Sequence, residues 1–504
     1  MDADEKKSLP DTAEKRPEVD IEAGATELQT SMGDSAAAAA TPPPDALILD
    51  RQLEKQVVRK LDWHLAPMFA ALYFVAYLDR SNIGNASVAG LNTDLGLSDP
   101  QYSTAVSVFF ATYVALELPV VLLTQRVGPH RAIAVMCLSW SAVTIGTGFV
   151  KGFGDLIATR VLLGLCEAGF FPCLVLYISM VYKKEEQGLR QAYLFSAVAL
   201  AGMFGGLIAT GITYIGRVHG LESWSWLYII EGCLSVLAAF WVFFGLPARP
   251  AEAKFLTAED KKVMAVREAQ RAQYLGNLHF EWSEVVKAVV DPKVWFTAFI
   301  QFFQDIILYG FSTFLPSILK LDLGYTSLQA QYLSVPVYAL GGISFLTAAF
   351  LSDKWRRRGT VLLTLDIFAV IGYAILLGVP NRPSIRYFAC YMIAIPIYCG
   401  PGLNQAWVGN NMAPHYRRAT AIGIQQTIGN LAGVVAPQVY RAAPYRLGHW
   451  CSLASALISM GLIASQIGYL YMLNRKKSQI CRGDRADDRT ETSGEGDLDF
   501  RYVY

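Results

Sequence analysis

Apolar residues in this chain fall in long blocks, not in the period-two alternation of a half-buried strand or the one-sided stripe of a soluble helix. Runs of roughly 20 apolar residues, enough to cross the hydrocarbon core of a bilayer, recur from residue 65 onward. The pattern predicts twelve spanning helices, at 65–84, 102–124, 131–150, 156–181, 190–216, 226–246, 293–319, 328–351, 360–379, 385–411, 418–440 and 448–473. The longest polar gap, 247–292, follows the sixth span. Within it TAEDKKVMAVREAQR predicts a surface helix, with Thr257 and Asp260 at capping-box spacing. The fold class is therefore an all-α polytopic membrane protein. Two six-helix halves, 61–246 and 293–473, are joined by a hydrophilic linker.

The ends of the chain are different in kind. Residues 1–50 carry twelve acids and four bases, an alanine run and three consecutive prolines, and predict a disordered tail. No charged-then-apolar signal peptide is visible there, so insertion is expected to rely on the first span. A short basic amphipathic stretch, RQLEKQVVRKLD, leads into the membrane and closes the 1–60 unit. Residues 474–504 are expected to be a second tail.

Basic residues set the orientation. Loops after even-numbered spans, with the 247–292 linker, hold about eighteen Lys and Arg, against seven in loops after odd-numbered spans. Both termini are thus expected in the cytoplasm, which requires an even number of spans. Only 17% of the 504 residues are charged and the net charge is +1, which argues against a nucleic-acid partner. Eight scattered cysteines without a CxxC pair predict neither a disulfide framework nor a metal site. No HExxH, phosphate loop or nucleophile–base pair appears, so neither an enzyme nor a cofactor is expected.

Ionisable residues at bilayer depth are expensive and tend to mark function. Here they are Asp79, Arg80, Glu117, Arg160, Glu167, Glu231, Asp305 and Asp366. Arg160 and Glu167, seven residues apart on the fourth span, share one helix face with roughly 10 Å of axial separation. A cation for an anionic substrate above a carboxyl that exchanges a proton is one reading. An intramembrane salt bridge to neighbouring helices is the other. Arg80 is either a second anion contact or an interfacial residue paired with Asp79. Glu117 fits helix pairing or gating, and Asp305 is a further candidate for proton or substrate contact. Glu231 and Asp366 sit near span ends, where hydrated structural roles are expected. The six histidines all fall at span ends or in loops, which leaves proton work to carboxylates. Glycines at three- and four-residue spacing in the fifth and eleventh spans allow close helix approach, either for static packing or for sliding between states.

The cytoplasmic loops LLTQRVGPHR (122–131) and LSDKWRRRG (351–359) occupy equivalent places in the two halves. In them the chain resembles the major facilitator superfamily, whose signature places a glycine, an acid and a basic cluster there. The second copy carries Asp353, Lys354 and Arg356. The first keeps Arg126, Gly128 and Arg131 but has Gln125 where an acid is usual. The resemblance implies that these residues clamp the halves in one state. LDRSNIGNA (78–86), Glu117-Leu118-Pro119, RVLLGLCEAGFFP (160–172), WLYIIEG (226–232), Trp407 with Asn410-Asn411, and the run 417–440 are similar to the anion:cation symporter branch, especially its fungal allantoate, nicotinate and pantothenate permeases. Related animal carriers use an arginine and a glutamate at the same seven-residue spacing for anion binding and proton coupling, which implies those roles for Arg160 and Glu167. The resemblance also places the tenth and eleventh spans on the cavity wall. Trp407 would then stack on a ring, while Asn411 and Gln425 hydrogen-bond the substrate; interhelical bonding by these amides is the alternative.

The function expected is secondary active transport of a small organic anion, by proton symport and alternating access, by a monomer in the plasma membrane. An exporter of a carboxylated secondary metabolite is the main alternative, and a non-transporting nutrient sensor a further one.

Overall fold

The computed structural model describes residues 51–275, 282–413, 415–484, 486–487 and 494–504; the expected tail 1–50 lies outside them. Among the described residues helix follows helix, and extended pairing is limited to one bridge between Val218 and Leu221. The spans of the first half are Arg51–Val88, Asp99–Val127, Pro129–Thr147, the pair Phe153–Glu167 and Phe170–Val181, Lys184–Thr213, and Ser223–Gly245. Those of the second half are Pro292–Ser317 (continued by a π-turn, Ile318–Asp322), Ser327–Trp355, Arg358–Gly378, the pair Pro383–Ile397 and Cys399–Asn411, His415–Val439, and Arg446–Arg482. Among the described residues nine helices are long and apolar enough to cross a bilayer by length and composition alone. The third span is short, the tenth is interrupted, and the eleventh carries Gln425, Gln426, Thr427 and Asn430 on its path. These three cross in company with the apolar nine.

Three features differ from the sequence pattern. The amphipathic lead-in is not a separate helix. It is the first two to three turns of a 38-residue first span, about 57 Å long at 1.5 Å per residue, which projects well into the cytoplasm. The twelfth helix likewise runs on to Arg482. The fourth and tenth spans, equivalent in the two halves, are both broken. Gly169 takes a left-handed φ of 76° and restarts the fourth helix. Two positions carry the same chemistry: Pro172 lacks the N–H that would bond the Ala168 carbonyl, and Pro401 lacks the one for Ile397.

Charge sews the first half together on its cytoplasmic side. Glu54 on the projecting first helix accepts from Lys183 at 2.5 Å and from the buried Arg267 of the linker helix Ala258–Leu275 at 2.6 Å. Glu186 pairs with the same Arg267, and Asp62 pairs with Arg190. The predicted capping box forms, with Thr257 N–H donating to Asp260 and Asp260 N–H to Thr257. Burial acts to raise the Asp260 carboxyl, but Lys60 at 2.6 Å and Thr257 hold it below its ordinary value. This clip therefore stays ionised at any cytoplasmic pH. The second linker helix, Trp282–Val290, belongs to the other half, where Glu284 accepts from Arg417 at 3.0 Å.

The halves meet where the second span faces the eleventh, the fifth faces the eighth and the first faces the seventh. On the outer side this seam is closed. Ser107 donates to the Val434 carbonyl at 2.9 Å, Gln438 donates back to Ser107, and Lys320 donates to the Val88 carbonyl. Gly84 sits against backbone, since a Cβ there would lie 2.3 Å from the Thr313 carbonyl oxygen, whereas a Cβ on Gly433 would meet the Phe110 ring at 2.2 Å. The Phe110 Cγ, 2.3 Å from that Cβ, moves away when the side chain changes χ1, whereas the Thr313 carbonyl moves only with its helix backbone. Gly84→Ala is therefore expected to lower thermal stability in detergent more than Gly433→Ala, with overpacking of about 1–3 kcal/mol setting the scale. Unfolding followed by intrinsic fluorescence checks the order.

Candidate functional site

Between the two halves lies a narrow cavity whose walls include Arg80 and Arg160 from the first half and Tyr309 and Ser312 from the second. Arg160 comes from the outer piece of the broken fourth span. It is 3% exposed, and donates to the Tyr228 hydroxyl at 2.7 Å. Glu167 is the last residue of that piece, 2% exposed. The piece is drawn inward by Gly164, where a Cβ would meet the Phe109 carbonyl oxygen at 2.5 Å. The break therefore sets a carboxylate at a helix end in the middle of the membrane.

The partner of Glu167 is Arg80. The first span carries this guanidinium to the Glu167 Oε1 atom, and places it 5.4 Å from the Phe109 ring centroid and 5.2 Å from that of Tyr113. Of the roles open to Arg80, pairing with Asp79 is not the one adopted. Asp79 points to the opposite side, where its carboxylate accepts from Ser235 of the sixth span at 2.6 Å. Arg160 has no carboxylate within ion-pair distance among the described residues, and the Nε–H groups of both arginines are unpartnered. The cavity wall thus carries two guanidiniums, one of them paired with Glu167 behind the wall, while Asp79 on the Ser235 side is a further carboxylate near Arg160.

The second half contributes neutral polar groups. Tyr309 donates to Asn430 at 2.9 Å, and Asn430 faces Glu117 of the second span, which ties the cavity wall to a buried carboxyl across the seam. Asp305 lies one turn from Tyr309, 2% exposed, and accepts both bonds from the Gln301 amide, which in turn receives Asn404. It is held within the second half and does not line the cavity. Gln425 is fully buried with both amide atoms unpartnered.

Trp407 and Asn411 are elsewhere. Trp407, completely buried, packs on Gly359 and donates its indole N–H to the Val503 carbonyl at 2.7 Å. Asn411 bonds the backbone of Val503 in both directions. Neither is brought to the arginine cavity, because the tenth span's second piece ends at the cytoplasmic face against residues 494–504. The signature loops also stay local: Asp353 pairs with Arg358 at 2.7 Å, Arg356 caps the eighth helix at φ 51°, and Lys354 and Arg131 are exposed. The Arg126 side chain lies outside the described residues. Glu231 and Asp366, expected to be hydrated, are 1% and 2% exposed; Asp366 accepts from Ser459 and Gln304.

Sequence reading passed over Tyr228, Phe109, Tyr113 and Phe110, the residues that coat the two arginines. The available signal was the i, i+4 pair of aromatics at 109 and 113, set opposite charges in an otherwise apolar helix.

Comparison with known proteins follows the same lines. The sequence model of the Major Facilitator Superfamily matches residues 69–437. An uncharacterised transporter of Schizosaccharomyces pombe is 52% identical over 459 residues, covering 91% of this chain and 95% of that protein. A high-affinity nicotinic acid transporter of Saccharomyces cerevisiae is 35% identical, over 90% of this chain and 85% of its own length. Among solved structures, an inward-facing, unoccupied bacterial homologue of the human lysosomal transporter Spinster superposes with a TM-score of 0.61 at 15% identity, covering 83% of this chain and 98% of that one. It shares the fold.

Breaking a buried ion pair from one side costs about 3–5 kcal/mol. The two sides are not equivalent here, since a carboxyl left alone can take up a proton and a guanidinium cannot lose one. Glu167→Gln is therefore expected to destabilise the protein more than Arg80→Gln. The double variant should fall short of the sum by more than about 1 kcal/mol. A thermal-unfolding double-mutant cycle reads this directly.

Proposed function

The chain belongs to the Major Facilitator Superfamily and is a multi-pass membrane transporter, and from its site we propose that it carries a small organic anion together with protons by alternating access. The observation that carries this reading is the pair of guanidiniums lining one membrane-depth cavity, of which Arg80 is ion-paired to Glu167 and Arg160 has no carboxylate within ion-pair distance among the described residues. A cation in a low-dielectric site needs a counter-charge. Glu167 provides it for Arg80 in the substrate-free site, and a substrate carboxylate reaching both Arg160 and Arg80 would take over that role when Glu167 is protonated, with the Tyr228 hydroxyl beside it.

Coupling follows from competition for Arg80. A substrate carboxylate can make charge-assisted bonds to Arg80 only when Glu167 releases it, and protonation of Glu167 is the simplest release. Proton and anion then enter together, and loss of the proton on the other side restores the ion pair and expels the anion. One proton with a monoanion moves no net charge, so the gradient contributes about 1.4 kcal/mol per pH unit. A second proton would add about 2.3 kcal/mol per 100 mV of membrane potential.

The rings of Phe109, Phe110, Tyr113 and Tyr309 around the arginines favour a planar aromatic carboxylate. The nicotinic acid transporter among its relatives supports the same class. Import across the plasma membrane is the direction that such a symport serves. Asp305 and Gln425 are proposed as second-half polar contacts of the cycle, and Asp353, Lys354, Arg356, Arg126 and Arg131 as cytoplasmic groups that engage in another of its states.

Uptake of radiolabelled nicotinate, pantothenate, allantoate and biotin by yeast expressing the chain, at pH 5 and pH 7, is the decisive assay. At least one carboxylate should accumulate faster at acidic pH. Glu167→Gln should abolish accumulation while retaining counterflow exchange, and Arg160→Gln should weaken apparent affinity at least tenfold. Undiminished affinity in Arg160→Gln, or preference for an uncharged sugar or a cation, would overturn the proposal.

A further inference from the structure

Residues 494–504 are held at the cytoplasmic end of the second half in the manner of a peptide in a receptor. The Glu495 carboxylate, 4% exposed, takes the Lys293 ammonium and the Ala413 amide N–H, with Arg417 at 3.8 Å. The Lys477 ammonium donates to three carbonyls of the segment, Glu495 at 2.6 Å, Asp497 at 2.8 Å and Phe500 at 2.9 Å. Two asparagines then read the backbone in both directions, Asn474 at Tyr502 and Asn411 at Val503. Trp407 closes the row at the Val503 carbonyl.

The groups that do this come from four elements: Lys293 from the seventh span, Trp407 and Asn411 from the tenth, Arg417 from the eleventh, Asn474 and Lys477 from the twelfth. Lys293, which also pairs with Asp291 at 3.2 Å, and Lys477 are buried charges that take oxygens from the segment, so the site suits an occupant. Its position matters mechanically. Cys399–Asn411 is separated from the rest of the tenth span by the break at Tyr398, and its other end is the Asn411 that the segment binds. The piece is hinged at one end and fastened at the other.

We propose that residues 494–504 are an intramolecular peptide ligand that fastens the tenth-to-eleventh turn to the seventh and twelfth spans, and that its departure frees the cytoplasmic piece of the tenth span to move. The segment touches neither Arg80 nor Arg160, so the proposal stands apart from the identity of the substrate.

The test uses a chain ending at residue 493, purified in detergent, and a fluorescein-labelled synthetic peptide of residues 494–504. Saturable binding is expected in fluorescence anisotropy. It should weaken at least tenfold when the peptide carries Glu495→Ala, when the shortened chain carries Asn411→Ala, or when the full chain, its site filled, replaces the shortened one. Amide exchange across 399–417 should be several-fold faster in the shortened chain and return to the full-chain rate with peptide. The full chain carrying Glu495→Ala should show the same faster exchange, which covers failure of the shortened chain to fold. Binding indifferent to Glu495 and Asn411, or equal exchange across 399–417 in all forms, would overturn the proposal.

Discussion

The centre of this molecule depends on an arginine that cannot give up its charge. Arg80 lies at membrane depth, mostly shielded from water, where a guanidinium without an anion is costly. Glu167 supplies the anion from a different helix, and the Phe109 and Tyr113 rings cover the cation. The first, second and fourth spans are thereby held together by one charge and its surroundings. Arg160, a second guanidinium on the same cavity, rests on the Tyr228 ring and hydroxyl and has no carboxylate within ion-pair distance among the described residues. That difference between the two arginines is the feature on which the proposed anion site rests.

The helix breaks serve this arrangement. A continuous fourth span would put Glu167 in mid-helix with its backbone fully bonded. Ending the helix there, at Gly169 and Pro172, lets the two pieces take different angles and sets the carboxylate at a joint. The tenth span repeats the device with Tyr398 and Pro401. Discontinuous spans around a midplane site are a recurring solution in transporters. Here the outer contacts between the halves run through small residues and backbone carbonyls, Gly84 against Thr313 and Ser107 against Val434. Such contacts separate without leaving a buried charge behind.

The larger ionic networks gather at the cytoplasmic face, with Arg386 and Asp322 pairing at the outer end of the second half, and each keeps within one half. Glu54, Lys183, Glu186 and Arg267 join the first helix, the fourth-to-fifth loop and the linker. Lys293, Glu495 and Lys477 join the ends of the second half. Each half is stiffened as a body, and the described contacts across the seam are mostly apolar or neutral polar, with charged groups entering through Lys320 on the Val88 carbonyl and Glu117 facing Asn430. That division suits two bodies that rock.

The amino-acid sequence by itself determined the twelve spans, their orientation, the linker helix with its cap, and the short set of membrane-depth charges that includes Arg80, Arg160 and Glu167. These follow from hydropathy, from the side on which Lys and Arg accumulate, and from the cost of charge in hydrocarbon, all properties of residues one at a time. Tertiary structure alone decided the pairings. Helical spacing places Arg160 and Glu167 on one face but does not say which neighbouring helix turns toward that face, so the partnership of Glu167 with Arg80 and of Asp79 with Ser235 was beyond it. The breaks were written in AGFFP and YCGPG, yet proline and glycine are common in membrane helices, and only packing against Phe109 and Val120 shows which of them interrupt the helix. Trp407 and Asn411 went to residues 494–504 rather than to the cavity for the same reason. Polarity states that a buried group needs a partner, and only the arrangement of helices in space supplies one.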